Sequence, residues 1–386
     1  MKIIKRVLIV LVVVVLGLIT WIQLSGNSHI YRTLAMTIFR GQMGPQIDEL
    51  NDFPTRSIPN AKPEHWPLSH VYNKVQPNPE LIKTLHINKT TAFLLIQNDS
   101  IVYEDYWEGT NAKTLSNSFS MAKSVTAALI GCALKEGLIK DLDEKVGTYI
   151  EAFQKAPYDQ ITIRHLLMMS SGLDFKESYG SLLGWPAKAY YGNDVNATVI
   201  GAPKLYVPGT VYDYKGGDSQ LLGMILEKVS GMRAAQYASE HLWQKIGAED
   251  TAYWSLDIQD GMEKVSCCYY ATAHDFARLG KLYMQYGNWN GMQLIDSSFI
   301  AQSIVAAPTH TTSGKPNTQY GYQWWILNYK GLDIFYARGI KGQYIFNIPA
   351  KKMIIVRLGH KRADKNSDDL PLDIFDYLEL GLSLGK

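Results

Sequence analysis

The sequence predicts an α+β fold: one antiparallel sheet assembled from both ends of the folded body, with a mainly helical lobe inserted between them. Three observations predict it. Residues 91–96 (Thr-Ala-Phe-Leu-Leu-Ile) and 101–107 (Ile-Val-Tyr-Glu-Asp-Tyr-Trp) are strand-like runs meeting at a turn at Asn98-Asp99. The last hundred residues return to strands, at 320–327, 333–337, 343–348 and 353–358, separated by short turns such as Asn328-Tyr329-Lys330-Gly331. Between these ends the pattern is helical at 161–169, 219–229, 233–246 and 272–286, the last with Ala273, Phe276, Leu279 and Leu282 on one face. The lobe runs from about 135 to 315, and a final helix covers about 370–380.

A chain of 386 residues is long enough for a large core. Charged residues make up 19% and hydrophobic ones 46%, the balance of a folded globular protein. The formal net charge is +2, both signs are scattered, and no basic block marks a nucleic-acid partner. Of the three cysteines, Cys132 falls in an apolar helix and is expected in the core. Cys267 and Cys268 are neighbours, a spacing at which a disulfide is strained and rare. His165, His241, His274 and His310 stand apart, read as capping or surface residues, and no spacing resembles a metal site.

The N-terminus differs from the rest. Lys2, Lys5 and Arg6 precede an apolar run from Val7 to Leu24, broken only by Gly17, Thr20 and Gln23. As a helix these residues span ~27 Å, close to the hydrocarbon thickness of a bilayer. The positive flank predicts a cytoplasmic N-terminus, with residues 1–24 a single-pass membrane anchor and the remainder periplasmic or extracellular. A cleaved signal peptide is the rival reading, although Leu24-Ser25-Gly26-Asn27-Ser28 offers no A-x-A site. Residues 25–80, rich in Pro, Asn and Gln, read as a linker or N-terminal arm with short helical pieces around 30–39. The folded body occupies 81–386.

Within that body, Ser120-Met121-Ala122-Lys123 opens a small, apolar helix that ends near Gly137. Positions i and i+3 share a helix face, so the Lys123 amine can sit against the Ser120 hydroxyl. A serine is a weak nucleophile without an adjacent base, and a lysine in an apolar pocket loses its proton readily enough to serve. A serine at a helix start also offers its backbone N–H to a developing oxyanion. The alternative is an N-cap serine with a solvated lysine. The four-residue pattern recurs at Ser383–Lys386, at the C-terminal end of the sequence, so context must decide.

Three further stretches supply it: Pro208-Gly209-Thr210-Val211-Tyr212-Asp213-Tyr214-Lys215-Gly216-Gly217-Asp218-Ser219-Gln220-Leu221-Leu222-Gly223, Tyr336-Ala337-Arg338-Gly339-Ile340-Lys341-Gly342-Gln343-Tyr344, and Ile161-Thr162-Ile163-Arg164-His165-Leu166-Leu167 running on to Ser170-Ser171-Gly172-Leu173. With Ser120–Lys123, in this order, they resemble the serine β-lactamase and penicillin-binding-protein superfamily in its class C-like branch. Within that branch the chain is most similar to 6-aminohexanoate-dimer hydrolases and related esterases, from about residue 90 to the C-terminus. The resemblance implies a β-lactamase-like αβα sandwich, an antiparallel sheet flanked by helices. It implies Ser120 as nucleophile, Lys123 as its activating partner, and Tyr214 as the tyrosine that shuttles a proton to the leaving group. The backbone N–H groups of Ser120 and Ile340 would form the oxyanion hole, with Gly339 and Gly342 allowing close approach and Gly339 and Gln343 at the substrate. Plainer readings stand beside these: Tyr214 as a buried aromatic before a helix, and the glycines as an ordinary strand turn.

The chain departs from the pattern at two points. The Asn of Y-x-N, or the Ser of amide hydrolases, is Gly216, and the Lys of the K-T-G strand is Ala337, followed by Arg338. Loss of that lysine weakens the case for penicillin chemistry, while Arg338, Lys341 and Lys215 are candidate replacement cations. Tyr179, Trp185 and Tyr190 lie where relatives carry a lid over the site, so Tyr179 and Trp185 are expected at the substrate, or else packed under a loop. Trp324 and Trp325 read as sheet core and rim. The expectation is a membrane-anchored serine hydrolase that cleaves a small amide or ester through an acyl-enzyme, without metal or organic cofactor. The alternatives are a D,D-carboxypeptidase or weak β-lactamase, and a catalytically silent module that binds cell-wall ligands.

Overall fold

The computed structural model describes residues 1–366 and 370–385. Lys386, the end of the second S-x-x-K match, lies outside the described residues. Six antiparallel strands form the main sheet, in the order Trp325–Tyr329, Leu332–Gly339, Gln343–Ile348, Met353–Gly359, Thr90–Gln97 and Ser100–Tyr106. The two ends of the body thus meet where Met353–Gly359 pairs with Thr90–Gln97, as the sequence predicts.

Thr90–Gln97 is buried along its whole length because both sheet faces are covered. Its side chains alternate between them. Ala92, Leu94 and Ile96 enter the larger core, shared with the helices Ala122–Lys135 and Ala273–Met284. Phe93 and Leu95 enter a second core with Ile374, Tyr377 and Leu378 of the terminal helix Asp373–Leu384. Helix, sheet and helix are therefore stacked as an αβα sandwich.

Differences from expectation have local causes. The strand expected from 320 begins at Trp325, because Gln323 takes φ 61° and turns its side-chain amide onto the carbonyls of Leu166 and Leu167. The helix expected over 161–169 covers only Ile163–Leu167, capped by Thr162. The helix expected over 233–246 passes from Ala234–Ala238 into one π-helical turn, Ser239–Trp243.

Residues 25–80 do more than link. The helix His29–Met36 packs on the helix Trp185–Tyr191. Thr55–Ile58 is the first strand of a second antiparallel sheet, followed by Ala252–Ser255, Tyr269–Ala271 and Ser116–Asn117. That sheet joins the arm to the residues just before Ser120, and Asn117 donates its backbone N–H to Ile47 O at 2.8 Å.

Cys267 and Cys268 are disulfide-bonded, against the expectation for neighbours; Cys268 takes φ 65°, which turns the chain so that the two side chains meet. Cys132 is buried. His165 closes a capping box with Thr162, as expected. His274 is no surface residue: it bridges Glu104 at 2.7 Å and Glu249 at 3.4 Å. Burial pulls its pKa down, but the hydrogen bonds to those carboxylates prevail and hold it up at about 9. The helix Lys2–Leu24 is long and apolar enough to cross a membrane, and Ile22 is its one buried residue.

Candidate functional site

The site begins at a bend. Phe119 takes φ 44°, a conformation disfavoured for a bulky residue, and is held there by the Asn117 side chain, whose Oδ1 accepts from Phe119 N at 2.9 Å. The bend starts the turn Phe119–Met121 and then the helix Ala122–Lys135, leaving Ser120 half-buried at its entry while the residues around it are buried. Lys123 comes back along the same face: Nζ donates to Ser120 Oγ at 3.2 Å and to Ser266 O at 2.7 Å.

Lys123 is only 3% exposed. Burial pulls its pKa down to about 8, against the opposing pull of the Glu177 carboxylate. The sign of the stability effect follows. At pH 7 the lysine is mostly charged in both folded and unfolded chains, so the folded state carries the full cost of burying the charge. That cost fades between pH 8 and 10.5, as the unfolded chain alone holds the proton. Lys123→Met is therefore expected to stabilise the fold at pH 7 by up to about 3 kcal/mol, a gain that disappears by about pH 11. Urea denaturation across that pH range measures it, and a destabilised variant at pH 7 would show that the two hydrogen bonds outweigh the buried charge.

Tyr214 closes the group. Lys123 Nζ lies 5.4 Å from the centroid of its ring. The ring is braced by Tyr320 edge-on at 5.6 Å and by Trp325 at 5.1 Å. Trp325 is thus part of the site wall, not merely sheet rim, and its other neighbour is the Arg338 guanidinium, 3.5 Å from its ring centroid. Of the candidate cations, Arg338 alone among the three is set against this wall. Lys215 is tied to Asp213 at 2.7 Å and Leu173 O at 2.7 Å, and Lys341 reaches Gln46 Oε1 at 2.6 Å.

The strand Leu332–Gly339 ends against the Ser120 turn. A side-chain carbon at Gly339 would lie 2.2 Å from Ser118 O, so only glycine permits this approach. It brings the backbone of Gly339 and Ile340 alongside the turn that carries Ser120. Arg357 fixes the strand end, donating to Lys341 O at 3.0 Å and Gly342 O at 2.7 Å.

Other expected residues lie elsewhere. Gln343 is fully buried and its amide is taken up by backbone, donating to Ile340 O and Gly359 O and accepting from Gly359 N. It fastens strands together and does not face a ligand. Trp185 is also buried; its Nε1–H donates to Thr198 Oγ1 and its ring packs on Phe175. A side-chain carbon at Gly216 would meet the Trp185 ring at 2.4 Å. The missing Asn side chain of Y-x-N is thereby explained: the indole occupies its space. Gly216→Asn is expected to destabilise the protein by about 1–3 kcal/mol through overpacking, and to cost less when introduced into a Trp185→Ala background. A neutral Gly216→Asn in urea denaturation would overturn that reading.

Tyr179 remains at the site, on an exposed loop, and its hydroxyl donates to Glu177 Oε1 at 2.8 Å. The other oxygen of Glu177 accepts from Gly216 N. Glu177 is the group that sequence reasoning missed: its carboxylate interacts electrostatically with Lys123, and burial pushes its own pKa up. Its only sequence signal was its place two residues before Tyr179. Ser266 gave none, because it acts through its carbonyl.

Residues 82–378 match the beta-lactamase family. The 6-aminohexanoate-dimer hydrolase of Paenarthrobacter ureafaciens is 25% identical over 299 residues, covering 72% of this chain and 75% of that protein. A "Putative D-alanyl-D-alanine carboxypeptidase" of Escherichia coli O157:H7 is 27% identical over 185 residues, 42% of each chain. The solved structure of a "Putative 6-aminohexanoate-dimer hydrolase from Bacillus anthracis" superposes with a TM-score of 0.71 at 25% identity, covering 85% of this chain and 89% of that one. With a family match over most of its length and a sandwich fold shared with these structures, the chain belongs to the beta-lactamase family and is a serine hydrolase.

Proposed function

We propose that the protein is a membrane-anchored hydrolase that cleaves an amide or ester through an acyl-enzyme on Ser120. The observation that carries this reading is the 3.2 Å contact between Ser120 Oγ and the buried Lys123 amine beside Tyr214. Neutral Lys123 takes the Ser120 proton as Oγ bonds to the substrate carbonyl carbon. The resulting oxyanion is held by the backbone N–H groups of Ser120 and Ile340. Tyr214 passes a proton to the departing nitrogen or oxygen, whose bond to the carbonyl carbon breaks. Water then attacks the acyl-serine, giving its proton to the Tyr214 phenolate, and the acid product leaves as the Lys123 ammonium returns a proton to Ser120. The 23-residue helix Lys2–Leu24 supports anchorage, with the body on the outer face of the cell membrane.

Recognition of a carboxylate-bearing peptide or penicillin is a second reading, favoured by Arg338, whose charge stands at the strand that carries a lysine in penicillin-recognising relatives. Intact-mass spectrometry of the full chain in detergent separates the two. A fluorophosphonate adduct without a penicilloyl adduct supports the amide or ester hydrolase; a penicilloyl adduct supports the second reading. Folded protein that takes neither reagent overturns both in favour of a silent binding module.

A further inference from the structure

The loop beside the catalytic group is also the loop beside the anchor. Residues 176–185 form a closed excursion, pinned at its neck by Trp185 N donating to Lys176 O at 3.1 Å. One side of the neck is catalytic: Glu177 meets Gly216 N and the Tyr179 hydroxyl, and lies in the field of Lys123. The other side carries two leucines, Leu182 and Leu183, with 41% and 46% of their surfaces exposed.

Those leucines stand at the exit of the N-terminal helix. Only residues 25–28 separate Leu24 from the helix His29–Met36. His29, its first residue, hydrogen-bonds Leu182 O at 2.8 Å. Tyr31, one half-turn on, donates its hydroxyl to Ile19 O at 3.3 Å, within the anchor helix itself. Ile19 precedes the helix end by five residues, about 7.5 Å along the axis. If Val7–Leu24 crosses the hydrocarbon, the Tyr31 hydroxyl reaches past the outer end of the span, which sets the helix His29–Met36 against the membrane surface, and the exposed Trp21 fits the interfacial aromatic pattern. An exposed leucine pair at that surface is energetically reasonable against lipid and costly against water.

We infer that the 176–185 loop rests on the lipid bilayer and that the site draws its substrate from there: an amphiphile whose amide or ester joins a polar head to an apolar chain. This inference rests on the reading of the protein as an anchored serine hydrolase, and two measurements on the full chain in phosphatidylcholine–phosphatidylglycerol vesicles separate the two claims. The first needs no activity. Cys132 is buried and Cys267 and Cys268 are joined, so a nitrobenzoxadiazole label on Leu183→Cys reports that position alone. Its emission should be blue-shifted and quenched by spin-labelled lipid. The same label on Met292→Cys, in the hairpin near Ile295 toward the far end of the Ser120 helix, should behave as in water. Water-like emission at both positions overturns the inference.

The second is kinetic. In L182D/L183D the ratio of kcat/KM for a vesicle-partitioned dodecanoyl nitrophenyl ester to that for the water-soluble butanoyl ester should fall about tenfold. An unchanged ratio with turnover intact overturns delivery from the bilayer and leaves the hydrolase standing. Wild type that hydrolyses neither ester and takes no phosphonate overturns the hydrolase, while the fluorescence still decides where the loop lies. Protein that fails to float with the vesicles overturns the anchor and this inference with it.

Discussion

Ser120→Ala is expected to lower kcat by about 10⁴-fold or more and to abolish the fluorophosphonate adduct, with the fold intact. The size follows from the chemistry. Without Oγ no acyl-enzyme forms, and the remaining donors at the bend can only polarise a carbonyl toward a water that nothing positions. Folding should be nearly untouched, because Ser120 is half-buried at a helix entry and its Oγ contacts Lys123, whose amine keeps Ser266 O as a partner. A Ser120→Ala protein that melts with the wild type and retains more than a hundredth of its turnover would remove Ser120 from the mechanism. Loss of activity together with loss of cooperative unfolding would not count for it, so Ser120→Gly and Ser120→Cys belong in the same series. The Cys variant, with its softer and more acidic nucleophile, should keep a measurable acylation step.

What was legible in the sequence depended on local signals. The Ser120–Lys123 pair could be read because helix periodicity alone puts i and i+3 together. The sandwich was legible because Thr90–Gln97 is apolar on both faces and long runs of alternating or β-branched residues recur at 343–348 and 353–358. Proline-rich composition hid the role of residues 25–80, since Thr55–Ile58 finds its partner almost two hundred residues away at Ala252–Ser255. Gln343 entered the expected site through the family resemblance; its amide is instead consumed by strand backbone that no local pattern reveals. Trp185 was read as a lid residue or as packed under a loop, and its burial against Gly216 is the kind of contact that only tertiary packing decides. Glu177 was missed for the converse reason: a carboxylate in a polar loop reads as a solvated surface group until the fold brings Lys123 to it.

That carboxylate makes the pH dependence a sharp test. In the proposed mechanism Lys123 acts as base only when neutral, and a pKa near 8 leaves about one lysine in ten neutral at pH 7. The acid limb of kcat/KM should therefore bend near pH 8 and fall tenfold per unit below it, reaching about a hundredfold loss at pH 6. Glu177 raises the Lys123 pKa by favouring the ammonium, so Glu177→Gln should move the bend to lower pH and increase the fraction of neutral lysine at pH 7. Lys123→Arg should be inactive across the range, because a guanidinium keeps its proton. A limb that stays in place in Glu177→Gln would mean that Glu177 is already protonated at the bend and exerts no field on Lys123. A uniform loss at every pH, with the limb unmoved, would mean that Glu177 touches the substrate or its attacking water directly. Movement in the expected direction would instead identify it as the group that sets how much of Lys123 is ready to act, through a charge placed two residues from the loop's tyrosine and held there by the backbone N–H that Gly216 presents.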